Sequence, residues 1–283
     1  MKIALATAAM LPDLSHDDQV LHAELVRRGY DARPVIWDDP IDWSRYDVVV
    51  ARSIWDYHLK YASFLEWLDA LDASGSRVHN PTAMLRANAD KRYMVGLEDE
   101  GVRIAPTRVV ARNDGRALAD VLAETGWRQV VVKPVVSSTG YETWFVNAPC
   151  SSAGEQRFAA QTSVMDVLVQ EFVAGVYTGE RSFVFIDGAY THAFVKRAAA
   201  DEFRVHVEHG GTVEAIAPAP AQIDWAHRVV ATLGDRPWTY ARVDAVQGDD
   251  GLVLMEFELL DPELFFQYNP VAVERFIQAI VRA

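Results

Sequence analysis

The chain has 283 residues, 50% of them hydrophobic and 24% charged, enough to bury a sizeable core as roughly two domains or one three-lobed unit, and too apolar for a disordered chain. A formal net charge of -13 and a pI near 5.0 exclude a general nucleic-acid binder, whose phosphate contacts need clustered Lys and Arg. The lone Cys150 can form no internal disulfide, polar residues from Asp13 cut short the apolar start, and no run of about 18 apolar residues occurs. These features point to a cytoplasmic chain with no membrane anchor.

Lys2 to Thr7 reads as a buried strand, Asp18 to Arg28 as a helix ending at Gly29, and Asp31 to Trp37 and Asp47 to Ala51 as further strands. Phe64, Leu65, Leu68 and Leu71 give Tyr61 to Leu71 an apolar helical face, completing a small α/β lobe over residues 1–82. Asn80-Pro81 punctuates the chain, and helical spacing then runs from Thr82 to Asp99. A second lobe, 83–165, carries strands at Thr107 to Val110 and Val130 to Pro134, a helix around Leu118 to Glu124, and a polar loop from Ser137 to Thr143. The third, 166–283, is β-rich: Val167 to Phe172, Arg181 to Ile186, Ala189 to Arg197, Phe203 to Glu208, Tyr240 to Gln247 and Leu252 to Leu259, with helices at Trp225 to Leu233 and Val271 to Arg282. Turn signals at Asp187-Gly188, Gly210-Gly211 and Asp249-Asp250-Gly251 fit an antiparallel sheet. The fold class is α/β, built of α+β lobes.

Lys133 ends an otherwise apolar strand, where a buried ammonium costs several kcal/mol without an anion beside it. It either snorkels to solvent or meets a negative ligand. Ser137, Ser138, Thr139 and Gly140 offer hydroxyls and freed backbone N–H groups of the kind that wrap phosphate, although such a run is also an ordinary solvated turn. Glu256 and Glu258 share one face of an apolar strand, and Asp244 lies in another, with Arg242 on its face. Facing inward, the carboxylates need a cation, and hard oxygens suit Mg²⁺; facing outward, they are an ordinary half-buried strand. Arg52 and Arg204 are candidate forks for a substrate carboxylate or else structural ion pairs. Trp55, Asp56 and Tyr57 either shape a substrate pocket beside Arg52 or pack a lobe interface. His206 and His209 flank Glu208 without further ligands at zinc spacing.

The order Lys91, Lys133, hydroxyl-rich loop, Gln170-Glu171-Phe172-Val173, Glu180, Asp244, Glu256, Glu258 resembles the ATP-grasp superfamily over residues from about 85 to 268. The resemblance implies three lobes with the nucleotide between two of them, and an enzyme that activates a carboxylic acid as an acyl phosphate and passes it to an amine. It implies Lys91 and Lys133 on the phosphates of ATP, Glu171 to Val173 at adenine, Glu180 at ribose, Asp244, Glu256 and Glu258 on Mg²⁺, and Arg242 steadying the acyl phosphate. Many members end the metal motif Glu-x-Asn, whereas this chain has Glu256-Phe257-Glu258. Arg52-Ser53-Ile54-Trp55-Asp56-Tyr57, Phe203-Arg204-Val205, Glu208-His209-Gly210-Gly211 and Glu256 to Phe265 are similar to the ligase subgroup that forms D-cycloserine. That subgroup implies a small-molecule acid and amine, or one molecule carrying both, in antibiotic biosynthesis. ATP-dependent phosphorylation or carboxylation, and ATP binding without turnover, stay open at this point, and a homodimer is expected from the commonness of two-fold oligomers.

Overall fold

A computed structural model describes residues 1–199, 202, 204, 205 and 210–282. A first sheet is wholly parallel, in the order β2-β1-β3-β4, from β1 (Lys2–Thr7), β2 (Asp31–Ile36), β3 (Val48–Ser53) and β4 (Arg77–His79). Both faces of β3 are buried, as the near-continuous apolar runs of a helix-covered parallel sheet require. Helix α1 (His16–Arg27) is capped by Ser15, whose hydroxyl accepts from the Asp18 N–H, and α2 (Tyr61–Ser74) ends on Gly75 at a φ of 76°. Phe64, Trp67, Leu68 and Leu71 of α2 pack under one face of the sheet.

The helical spacing of 82–99 resolves into two helices, α3 (Thr82–Asn88) and α4 (Tyr93–Asp99). Between them the Lys91 N–H donates to the Val135 carbonyl at 2.7 Å, diverting the backbone from the helical ladder. A second, antiparallel sheet, in the order β5-β8-β6-β7, holds β5 (Thr107–Val110), β6 (Gln129–Pro134), β7 (Trp144–Asn147) and β8 (Val167–Glu171). Its core is closed by α5 (Leu118–Thr125) and α6 (Ser152–Val164) through Leu118, Val121 and Phe158. Because β8 returns into this sheet, the change of sheet falls after Glu171 rather than at residue 165.

The third sheet, β11-β10-β9-β12-β13, is built from β9 (Glu180–Ile186), β10 (Ala189–Arg197), β11 (Thr212–Ile216), β12 (Tyr240–Gly248) and β13 (Gly251–Glu258). All its pairings are antiparallel. The strand expected at Phe203 to Glu208 lies largely outside the described residues; Arg204 and Val205, which are described, are not in a strand. One face of the sheet packs on α7 (Pro220–Ala231) and α4 through Phe183, Phe185, Val243, Val229 and Leu97. The other face shares a core with the first sheet: Ile3, Leu5 and Val50 meet Val184, Phe194 and Tyr240, with Phe276 and Ile280 of α8 (Pro270–Val281). Asn80, fully buried, is clamped there. Its amide donates to the carbonyls of Tyr240 and Leu259, both at 2.8 Å, and its oxygen accepts from the Thr239 N–H at 2.6 Å.

Candidate active site

Strand β6 delivers Lys133, strand β13 delivers Glu256 and Glu258, and the α3–α4 break delivers Lys91 into one cleft of about 1160 Å³, its open mouth included. The cleft is also lined by Ser137, Ser138, Thr139 and Gly140, by Glu171, Phe172 and Val173, and by Tyr57, Glu180 and Arg204. Residues spread over some two hundred positions therefore meet between the second and third sheets.

The charges in this cleft do not balance. Lys91 is paired with Glu256, whose pull outweighs burial and holds the ammonium above its ordinary value. Lys133 has no ion pair among the described residues. Burial, and then the like charge of Lys91, pull it down to about 8. Glu258 is pushed up to about 7 by burial, with Glu256 and Asp244 adding to the effect, even though Arg242 pairs with it. Such a site has room for an added anion beside the lysines and for an added cation beside the glutamates.

At the other end, the Glu171 N–H donates to Pro106 at 2.8 Å and the Phe172 N–H to Gln129 at 2.9 Å, so both donors are used within the chain. The Val173 N–H is the hinge donor left without a partner among the described residues. Phe172 stacks edge-on against Phe145 at 5.0 Å. The loop over the cleft has positive φ at Thr139 (51°), Gly140 (71°) and Glu142 (48°), and is held by turn bonds from the Tyr141 N–H to the Ser138 carbonyl at 2.9 Å and from the Thr143 N–H to the Gly140 carbonyl at 3.1 Å. It rests on the first lobe, with Tyr57 Oη 3.4 Å from the Ser137 carbonyl and the rings of His58 and Tyr141 4.9 Å apart.

Behind the wall, Arg242 and Asp244 are buried. Arg242 holds Asp244 through Nε and Nη2 at 3.0 and 2.9 Å, and Lys196 Nζ reaches the same carboxylate at 2.8 Å and Glu180 at 2.6 Å. Despite burial, Arg242 and Lys196 hold Asp244 well below the usual carboxylate range, while burial raises Glu180. Lys196 was legible by the same signal as Lys133, a lysine ending an apolar strand, and was passed over. Asp261, which lines the cleft beside Leu260, was missed as well.

Three of the expected substrate residues lie elsewhere. Arg52 is fully buried in β3: its Nε donates to Asp18 at 2.7 Å, its Nη2 to the Pro262 carbonyl at 2.8 Å, and it lies over the Tyr240 and Phe276 rings at 5.3 and 5.6 Å. Asp56 accepts from Trp37 Nε1 at 2.7 Å and Lys60 at 3.1 Å, and Trp55 Nε1 donates to the Asp261 carbonyl at 3.2 Å. None of the three lines the cleft, and Arg52, fully buried and tied to Asp18 and Pro262, is corrected from a substrate fork to a structural pair. Arg204 does line the cleft and is paired with Glu202 at 2.7 Å; Phe203, His206, Glu208 and His209 lie outside the described residues.

The prokaryotic glutathione synthetase ATP-grasp domain matches residues 98–264, and the N-terminal domain of D-cycloserine synthetase matches residues 3–80. The chain belongs to the ATP-grasp ligases. It is 30% identical to the cycloserine biosynthesis protein DcsG of Streptomyces lavendulae, over 98% of this chain and 97% of that one. The crystal structure of D-cycloserine synthetase DcsG superposes with a TM-score of 0.87 over 99% of this chain and 98% of that chain, at 30% identity. A D-alanine–D-alanine ligase from Bacillus anthracis complexed with ATP shares the fold, with a TM-score of 0.70 at 17% identity over 99% and 96% of the two chains. The chain is thus an ATP-dependent carboxylate–amine ligase of the ATP-grasp fold, a class that uses ATP and Mg²⁺ and forms C–N bonds with release of ADP. The family acts on small-molecule carboxylates and amines. No helix among the described residues is long and apolar enough to cross a membrane.

For Mg²⁺ the donor set fits in part. Glu256 and Glu258 line the cleft with hard oxygens, and burial beside Glu256 and Asp244 raises Glu258, a state that an added cation would relieve. Asp244, expected as a third ligand, is committed to Arg242 and Lys196, and among the described residues no three carboxylate, histidine or cysteine side chains converge on one metal position. Two glutamates, completed by phosphate oxygens, would hold the ion.

Proposed function

We propose that the protein ligates the carboxylate of an amino-acid-like small molecule to an amine in specialised metabolism, with ring closure as in D-cycloserine formation where acid and amine belong to one molecule. The observation that carries this reading is Lys133, without an ion pair among the described residues and lining one cleft with Glu256 and Glu258. Lys91 and Lys133 hold the ATP phosphates, Val173 and its neighbours Glu171 and Phe172 hold adenine, and Glu180, braced by Lys196, holds ribose. Ser137, Ser138, Thr139 and Gly140 close over the triphosphate. Glu256 and Glu258 hold Mg²⁺, which supplies charge neutralisation on the phosphates when bound.

The substrate carboxylate oxygen attacks the γ-phosphorus, ADP leaves, and Lys133 offsets charge on the transferring group. The amine nitrogen then attacks the acyl carbon, phosphate leaves and the nitrogen gives up a proton, forming the amide. Positioning both groups in one molecule makes the second step a cyclisation. Arg242, behind the wall, serves the acyl phosphate by holding Glu258 in place, and Arg204, which lines the cleft, meets the substrate carboxylate. A cytoplasmic homodimer belongs to the same proposal, the free Cys150 being in keeping with a reducing compartment.

The test is to incubate the purified protein with ATP, Mg²⁺ and pooled amino acids and O-substituted serines, O-ureido-D-serine included, and to follow ADP, phosphate and product mass. Substrate-dependent ADP release with a new amide is expected. Measurable ATP binding without substrate-dependent ADP from the pool would sink the amino-acid reading, and a phosphorylated product would replace it with a kinase.

A further inference from the structure

We infer that Asp261 recognises the protonated amino group of an amino-acid-like substrate, an inference that rests on the amino-acid ligase reading of the same cleft. Asp261 lines the cleft at the end that abuts the first lobe, beside Tyr57, Leu260 and Glu258. Only 9% of it is exposed, and its Oδ2 has no hydrogen-bond partner among the described residues. A buried oxygen left unpaired at the wall of a binding cleft is costly unless a ligand completes it.

The nearest fixed cation does not complete it. Arg52 is tied to Asp18 and to the Pro262 carbonyl, and its remaining Nη1 is also without a partner, so the two groups do not pair with each other. The backbone on either side is anchored: the Asp261 carbonyl accepts from Trp55 Nε1 at 3.2 Å, and the next carbonyl, that of Pro262, accepts from Arg52 at 2.8 Å. The side chain is therefore held at the wall, and nothing among the described residues uses its buried Oδ2.

The order along the chain places this group usefully. Glu256, Glu258 and Asp261 line the cleft in succession as β13 runs out, with Mg²⁺ assigned to the first two. A substrate with its carboxylate directed at the phosphates sets its α-substituent toward Asp261. An ammonium there finds a carboxylate, whereas the same acid without an amino group leaves Asp261 buried and unpaired, and selectivity follows from that difference.

The experiment is calorimetric titration of the full chain, saturated with Mg²⁺ and a non-hydrolysable ATP analogue, with O-ureido-D-serine and with 3-(ureidooxy)propanoate, which lacks the amino group. The wild type is expected to bind the amino acid at least tenfold more tightly. Asp261→Asn is expected to bring that ratio below threefold, with affinity for the ATP analogue within twofold of wild type. Equal or undetectable binding of both acids by the wild type overturns the inference. So does an unchanged ratio in the variant, and a fall in Tm with that ratio intact would make Asp261 a structural counter-ion of Arg52. Parallel ADP release separates the two readings: amino-group selectivity without ADP formation defeats the ligase reading and leaves the Asp261 site standing.

Discussion

Two clusters of buried charge lie on either side of the segment from Leu260 to Phe266, and they differ in whether their charges close. Around Arg52, Asp18 accepts from Arg52 and from Ser53 Oγ at 2.7 and 2.6 Å, and Asp17 accepts the backbone N–H groups of Leu264, Phe265 and Phe266 at 2.8, 2.9 and 2.5 Å. Around Lys133, Glu258 is pushed up to about 7 by burial, and among the described residues Lys133 has no ion pair and Asp261 Oδ2 no hydrogen-bond partner. Arginine and aspartate at the core of the first lobe thus pair within the chain, with Arg52 Nη1 left over among the described residues, while the cleft carries unbalanced charge that faces an opening. Burial of charge alone does not mark a binding site; residual imbalance facing an opening does.

The contrast breaks most visibly at Lys133. Lys133→Ala is expected to lower kcat/KM for ligation about a thousandfold, ~4 kcal/mol, with the thermal midpoint nearly unchanged. Loss of less than tenfold in steady-state kinetics would mean that the open cluster does not handle phosphate. Arg52→Met is expected to do the reverse, costing about 3 kcal/mol in urea unfolding because it leaves Asp18 buried without its cation, while the folded protein keeps its ATP affinity. An Arg52 variant of wild-type stability that fails to bind substrate would return Arg52 to the site.

A smaller effect sharpens the same comparison through pH. Lys133 is pulled down from 10.5 to about 8, so it is charged below pH 8 and loses its proton as pH rises through that value. Affinity for ATP, measured calorimetrically at fixed Mg²⁺, is expected to fall by up to about tenfold per pH unit above pH 8, because binding must first restore the proton. In Lys133→Met this dependence disappears; its persistence there would assign it to another group.

Much of this was legible in the residues. Apolar strand runs located most of the sheets, and a lysine ending Val130 to Pro134 and glutamates at period two in β13 announced a shared cleft that the structure forms. Arg52 was not legible, because a guanidinium at a strand end reads alike whether it faces substrate or an aspartate from a helix thirty-four positions earlier in the chain. Asp244 is a similar case: its commitment to Lys196 depends on β9 bringing β10 and β12 into one sheet. The break at Lys91 comes from a bond to Val135 that no local pattern contains, and β7, β11 and α6 are short, exposed or weakly patterned segments that gave no periodic signal.

The clamp at Asn80 bears on modularity. The first sheet ends there, yet its core is finished by Tyr240, Phe276 and Ile280, residues from the opposite end of the chain, and the Tyr240 hydroxyl lies 3.0 Å from the Ala51 carbonyl and 2.8 Å from that of Leu260. A substrate-side lobe transplanted from a relative by cutting at residue 80 would arrive without half of its own interior. Exchange of specificity between members of this fold must therefore carry the C-terminal helix with the N-terminal sheet, as one unit of inheritance that is discontinuous in sequence.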